Sequence, residues 1–290
     1  MTLPNRSVAG GGVASAPACS YALPMTLTIA ISQTAGCFAD PAAALDLLDA
    51  TARRARAAQA DLLVLPELFC TGYNLGAARA RSLAMTPDDE TFDRLRAIAR
   101  AHGTAICLGF PERADEHIAN SAALIDATGD ILLIYRKIHL FGALDRAMFS
   151  LRGDRFSVVS WRGLKLGLAI CYDIEFPETA RALAIAGADL VLVPTALMPP
   201  YDIVADHLIP TRAYENQVFI AYANHCGSED GLAYIGKSSI CGPDGAVLAK
   251  AADGPALITA TIDPAHQAEI RARDPLLADR RAPLYRSLAT

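Results

Sequence analysis

Short apolar runs bounded by turn residues alternate along the chain with stretches whose apolar positions recur every three or four residues. The runs read as buried strands and the stretches as amphipathic helices. On this reading residues 27–32 (LTIAIS) form a first strand, residues 41–59 an Ala- and Arg-rich helix, and residues 61–66 (DLLVLP) a second strand. A helix over 88–102 and a strand over 104–109 follow. The rhythm then changes to hairpins. Residues 121–126 and 131–137 flank a Thr128-Gly129-Asp130 turn, and residues 156–161 and 164–171 flank Arg162-Gly163. Alternation resumes with helices at 177–186 and 206–216 and strands at 190–194 and 219–224. A hairpin about Pro243-Asp244-Gly245 and a strand over 256–263 complete the pattern.

Helical crossovers combined with hairpins predict an α/β fold with mixed sheets, in place of one doubly wound parallel sheet. Two such stretches, before and after the middle, predict two similar layers packed face to face. No linker-like segment interrupts the pattern, so residues 25–290 are expected to form one domain. Residues 1–24, rich in Gly, Ala, Ser and Pro and without periodicity, read as a flexible extension, or as an over-long start with Met25 as the natural first residue. They make a poor signal peptide, having one early positive charge and no continuous apolar core. The Arg- and Pro-rich end, residues 271–290, has little core character and is expected at a surface or a subunit interface.

Composition narrows the function classes. With 52% hydrophobic and 20% charged residues, the chain has ample material for a large core and is not mostly disordered. A net charge of −5, with no Lys/Arg run on one face, gives nucleic-acid binding little support. No uncharged apolar stretch reaches the roughly 18 residues of a membrane span, so no membrane partner is expected. The seven cysteines are an odd, scattered set without a CxxC or zinc-like spacing. That usage fits reduced thiols in the cytoplasm, most of them small buried hydrophobes.

Three segments place a reactive residue directly after a buried strand. In LLVLPELFCTGYNLG, Glu67 follows an apolar run and a proline. A carboxylate there is partly desolvated, which raises its pKa and suits it as a base; a helix-capping or surface glutamate is the plain alternative. In ILLIYRKIHLFG, Lys137 ends a strand, where it could also be a solvated charge. On that placement its loss should cost rate more than stability. His139 beside it is either a site residue or a hydrogen-bonded structural histidine. In LKLGLAICYDIEFPETARALA, Cys171 sits between a strand and a helix opened by Pro177, the placement a nucleophile elbow needs. The alternative is an inert buried cysteine, and the acidic neighbours Asp173, Glu175 and Glu178 should raise the thiol pKa unless Lys137 lies close.

Taken together, these segments resemble the nitrilase-like carbon–nitrogen hydrolase family from about Thr26 to the C-terminal tail. The resemblance implies a four-layer α-β-β-α sandwich, homodimers or higher homo-oligomers, and no metal or organic cofactor. It places the family's Glu–Lys–Cys triad on Glu67, Lys137 and Cys171, with the Tyr172 backbone N–H as oxyanion donor. The family's second glutamate falls on Asp145, one methylene shorter. Longer stretches, among them PELFCTGYNLG and CYDIEFPETARALA, look most like aliphatic amidases acting on 5-aminopentanamide. A small-molecule amide is then the expected partner, cleaved to carboxylate and ammonia. Other hydrolases of the family, such as an ω-amidase or an N-carbamoyl-amine hydrolase, and a catalytically silent binding module are the alternatives. A substrate ammonium would need a distal acid, for which Asp145, Asp202, Glu229 and Asp230 are candidates. Tyr73, His139, Glu175 and Tyr201 are further substrate-binding candidates.

Overall fold

The computed structural model describes residues 26–285; the extension expected at residues 1–24 lies outside them. The first half runs β1 (Leu27–Gln33), α1 (Pro41–Ala57), β2 (Leu62–Val64), α2 (Gly76–Ser82), α3 (Glu90–His102), β3 (Ala105–Ala114), β4 (His117–Ile125), β5 (Ile131–Arg136) and α4 (Gly142–Met148). The second half runs β6 (Val158–Trp161), β7 (Leu164–Leu168), α5 (Pro177–Ile185), β8 (Leu190–Thr195), α6 (Ile209–Asn216), β9 (Phe219–Asn224), β10 (Cys226–Glu229) and β11 (Leu232–Ile235). It closes with β12 (Ser239–Cys241), β13 (Val247–Lys250), β14 (Ala256–Ile262), α7 (Pro264–Arg273) and α8 (Ala282–Tyr285).

Two six-stranded mixed sheets result, ordered β14-β1-β2-β3-β4-β5 and β13-β12-β9-β8-β7-β6. Each has three parallel strands at its centre, β1-β2-β3 in one and β7-β8-β9 in the other, with antiparallel strands outside them. The inner faces meet in a core of Leu27, Ile29, Ile31, Leu62 and Val64 against Leu166, Leu168, Leu190 and Leu192. On the outer faces α1 and α3 cover one sheet through Leu45, Leu48, Phe92 and Leu95, and α5 and α6 cover the other through Leu183, Ile209 and Ala213. This is the expected four-layer sandwich. Strands buried on both faces explain the unbroken apolar runs of β2 and β8, since no face is left for polar residues.

Differences from the sequence reading are local. The helix expected over 206–216 begins as a wide π-type turn, Val204–Leu208, before α6. Pro210 lacks the N–H that an α-helical start at Asp206 would require of it. The unpredicted α7 is started by Asp263, whose side chain accepts the Ala265 N–H at 2.8 Å. The first residue of the Arg-rich end is fastened down. The Arg271 guanidinium donates to Asp189 Oδ1 at 2.8 Å, the Ala188 carbonyl at 3.1 Å and the Gln217 carbonyl at 3.1 Å. Among the described residues, no helix is long and apolar enough to cross a membrane.

The parallel strands β2 and β7 deliver their C-terminal ends to the same edge of the sandwich, where open α/β sheets build their sites. β5 points the same way, because two antiparallel steps from β3 restore the direction.

Candidate active site

Glu67 lies three residues past β2, in a turn wedged against β3. The Gly109 N–H donates to the Pro66 carbonyl at 3.1 Å, and a Cβ on Gly109 would stand 2.2 Å from the Leu68 nitrogen and 2.7 Å from Glu67 Cα. Only glycine permits that approach. His225 Nε2 holds the Glu67 carbonyl at 2.7 Å from the other sheet. The Glu67 side chain is fully buried, and its Oε1 accepts from Lys137 Nζ at 2.7 Å and Asn120 Nδ2 at 2.6 Å. Its Oε2 is buried and has no hydrogen-bond partner among the described residues, so one oxygen stays available for a proton.

Lys137 follows β5 directly, held by its N–H to the Asn120 carbonyl at 2.8 Å and by the Gly153 N–H to its own carbonyl at 3.0 Å. Its fully buried ammonium bridges Glu67 Oε1 and Asp145 Oδ2, each at 2.7 Å. Asp145 sits in the first turn of α4, and its Oδ2 also accepts the Phe141 N–H at 2.9 Å. Tyr73 donates its hydroxyl to Asp145 Oδ1 at 2.6 Å and is itself fully buried. It therefore supports the acid from behind instead of lining a cleft.

Cys171 opens a single 3₁₀ turn, Cys171–Glu175, at the strand-to-helix junction. Its φ of +47° lies in the left-handed region that a non-glycine residue rarely occupies. Such strain persists only where the surroundings enforce it, as at a nucleophile elbow. At 7% exposure, Cys171 is touched by solvent, whereas Glu67, Lys137 and Asp145 are at 0%.

Asp173, counted against the thiol in the sequence reading, has its carboxylate taken up by other donors. Its carboxylate accepts from Tyr135 hydroxyl at 2.9 Å, His139 N and Nδ1 at 2.8 Å each, and Ile170 N at 3.1 Å. It ties the elbow to the strand end that carries Lys137. Glu178 is exposed. Replacing Asp173 by Ala strands buried donors on both segments, and we expect a loss of roughly 3 kcal/mol of unfolding free energy, read from the urea midpoint.

Burial raises the Glu67 pKa, with Asp145 adding to the rise and Lys137 opposing it. Burial pulls the Lys137 ammonium down, but Glu67 and Asp145 together outweigh it and hold it well above the usual lysine range. Burial also pushes the Cys171 thiol well up; Glu67 adds to that, while Lys137 and the Ala196 N–H oppose it. The sulfur therefore rests as a thiol beside a fixed cation and a buried acid. The arrangement can move a proton from sulfur to carboxylate at the moment of attack and place a positive charge beside a developing oxyanion.

The remaining candidates separate. His139 is stacked on Phe176 with ring centroids 4.0 Å apart and tied to Asp173, a structural placement. Tyr201 is exposed and meets Phe141 edge-on at 6.0 Å, and Phe141 meets Tyr172 at 5.3 Å. Asp202 pairs with Lys237 at 2.8 Å. Glu229 is buried beneath the 72–74 turn, accepting from Tyr73 N at 2.6 Å and Asn74 N at 2.7 Å. Sequence reasoning missed Asn120 and His225. An asparagine inside the apolar run of β4 was the available signal for the first; His225 offered none. Among the described residues, no group of three or more His, Cys, Asp and Glu side chains is arranged to hold a metal ion.

A four-layer sandwich with an acid, an ammonium and a thiol gathered at its strand ends is the architecture of a carbon–nitrogen hydrolase. The chain belongs to that family, whose model, described as "Carbon-nitrogen hydrolase", matches residues 28–272. A protein described as "Hydrolase in pqqF 5'region" from Pseudomonas protegens is 53% identical over 234 residues, 80% of this chain and 82% of that one. An (R)-stereoselective amidase from Pseudomonas sp. is 42% identical over 196 residues, 67% and 70% of the two chains. The solved amidase of Nesterenkonia sp. AN1 superposes with a TM-score of 0.79 at 38% identity, covering 90% of this chain and 99% of that one.

Proposed function

We propose that this chain hydrolyses small aliphatic amides to carboxylate and ammonia through a thioester on Cys171, and that its preferred substrates are ω-amino amides such as 5-aminopentanamide. One observation carries the first part: a thiol at a strained elbow on the edge of the core, backed by the buried Glu67–Lys137–Asp145 cluster. Glu67 takes the thiol proton as sulfur attacks the amide carbon, giving a tetrahedral intermediate. Lys137 and the Tyr172 N–H face the oxyanion, a donor of this kind being worth about 3–4 kcal/mol. Protonated Glu67 returns the proton to the leaving nitrogen, the carbon–nitrogen bond breaks and ammonia departs. Water, deprotonated by the same carboxylate, then attacks the thioester carbon; the carbon–sulfur bond breaks and the thiol is restored. Structures of cysteine-to-alanine mutants of the Nesterenkonia amidase in complex with acrylamide and butyramide support the small-amide reading. Another structure of that amidase, with the acetamide moiety of fluoroacetamide added at its active-site cysteine, supports the role of sulfur.

The test is ammonia release from a panel of aliphatic amides, ω-amino amides, dicarboxylate monoamides, N-carbamoyl amines and nitriles. Turnover of carbamoyl compounds or nitriles with none of amides would overturn the proposal. A second expected result concerns pH. With a neutral amide as substrate, kcat/KM should fall as pH drops through the Glu67 pKa, because the protonated acid cannot accept the thiol proton. Since burial raises that pKa, the acid limb should lie above the ordinary glutamate value of 4.5; a limb at or below it would remove Glu67 as base.

A further inference from the structure

Three of the acids expected near the cleft are engaged elsewhere: Asp145 holds Lys137 and Tyr73, Asp202 pairs with Lys237, and Glu229 fastens the 72–74 turn. Glu175 differs. It closes the 3₁₀ turn that Cys171 opens. At about 2 Å of rise per residue, its Cα stands on the order of 8 Å from that of Cys171, the reach of a short alkyl chain. The turn is pinned from below: Arg212 Nη2 donates to the Glu175 carbonyl at 2.8 Å, and Arg212 Nε donates to the Ile174 carbonyl at 3.1 Å. The backbone is thus fixed while the side chain is not. Among the described residues, none hydrogen-bonds or ion-pairs with the Glu175 carboxylate, although it is half-buried. The carboxylate feels the fields of the Lys137 ammonium and the Arg212 guanidinium, and the buried Tyr222 hydroxyl feels both Glu175 and Cys171, so acid and sulfur share one region. Tyr172 and Phe176 flank Glu175 in sequence and meet edge-on at 4.9 Å, with Phe141 and Tyr201 continuing the aromatic wall.

We infer that Glu175 selects the far end of the substrate by holding the terminal ammonium of an ω-amino amide whose carbonyl lies at Cys171. A half-buried acid with no direct hydrogen bond or ion pair is costly even in the field of Lys137 and Arg212, and a ligand cation in contact with it lowers that cost. Aromatic faces beside it favour the same cation. An amide ending in a carboxylate meets like charge at this position and is rejected. This assignment rests on the proposed amide hydrolysis at Cys171 and adds to it the residue that reads the substrate.

The experiment compares kcat/KM for 5-aminopentanamide, pentanamide and the monoamide of glutaric acid in the unaltered enzyme, Glu175→Gln and Glu175→Arg. In Glu175→Gln the ratio of 5-aminopentanamide to pentanamide should fall about 30-fold, mainly through KM, because a charge-assisted contact made in ground and transition states alike is lost. Glu175→Arg should move the preference to the glutaric monoamide. A ratio unchanged in Glu175→Gln would overturn the assignment. A measurement on the unaltered enzyme guards against variants that fail to fold: pentylamine should inhibit pentanamide hydrolysis competitively and more strongly than 1-pentanol, and equal inhibition counts against Glu175. An enzyme that turns over pentanamide without favouring the amino amide refutes this inference and leaves the Cys171 chemistry standing. An enzyme releasing ammonia from no amide refutes the hydrolase reading itself.

Discussion

Cys171→Ala should lower kcat/KM for the best amide by at least ~10⁴-fold, since removing a nucleophile leaves only binding and oxyanion stabilisation. The fold should survive. Cys171 lies at the edge of the core, and its truncation removes a single atom and one weak contact with the Ala196 N–H, so the cavity left is small. Unfolding free energy should therefore change by no more than about 1 kcal/mol, checked by urea denaturation beside the ammonia assay. Labelling provides an independent readout. A thiol-directed reagent followed by mass spectrometry should modify Cys171 faster than Cys107 or Cys241, both of which are fully enclosed. Equal labelling, or turnover persisting in the alanine variant, would remove Cys171 from the chemistry.

Lys137→Ala is the other large effect, and here burial of the ammonium adds a stability cost comparable to the loss of rate. A strand-end lysine in solvent would cost rate more than stability when removed. The Lys137 ammonium is fully buried between two carboxylates, and its loss leaves Glu67 and Asp145 facing each other without a cation. Breaking a buried pair from one side typically costs about 3–5 kcal/mol. We expect a destabilisation of that size, read from denaturant midpoints, together with a fall of about 10³-fold in kcat from the missing oxyanion-side charge. Partial relief should come from proton uptake by one of the two acids, so the variant should be less destabilised at low pH than at neutral pH. Stability equal to that of the unaltered protein would mean that the ion cluster is not formed in solution.

The order of the elements was legible because its cause is local. Apolar runs of four to eight residues, Gly- and Asp-containing turns and three-four spacing each act within one segment, and β1, α1, α3, β5, α5, β8, β9 and β14 fall where those signals place them. Elements such as α2, α4 and the β10–β11 hairpin are stabilised by packing around the site and carry weak signals of their own. Helix α6 was placed too early, since Pro210 acts through a hydrogen bond four residues away.

For the chemistry, the sequence by itself determined which residue types stand at strand ends: Glu67 after a proline, Lys137 after the apolar run 131–135, Cys171 after the apolar run that ends at Ile170. Their contact could be inferred only through resemblance, because 70 residues separate the Glu67–Lys137 pair, whose bond is 2.7 Å. Only the tertiary structure decided which charges compensate one another. Asp173 was expected to burden the thiol and instead fastens two segments; Tyr73 was expected in the cleft and instead backs Asp145. Among the described residues none hydrogen-bonds or ion-pairs with the Glu175 carboxylate, although Lys137 and Arg212 act on it at longer range. The physical reason is that hydrophobic periodicity is set by neighbours along the chain, whereas hydrogen-bond partnership and desolvation depend on side chains that the fold brings together from distant segments.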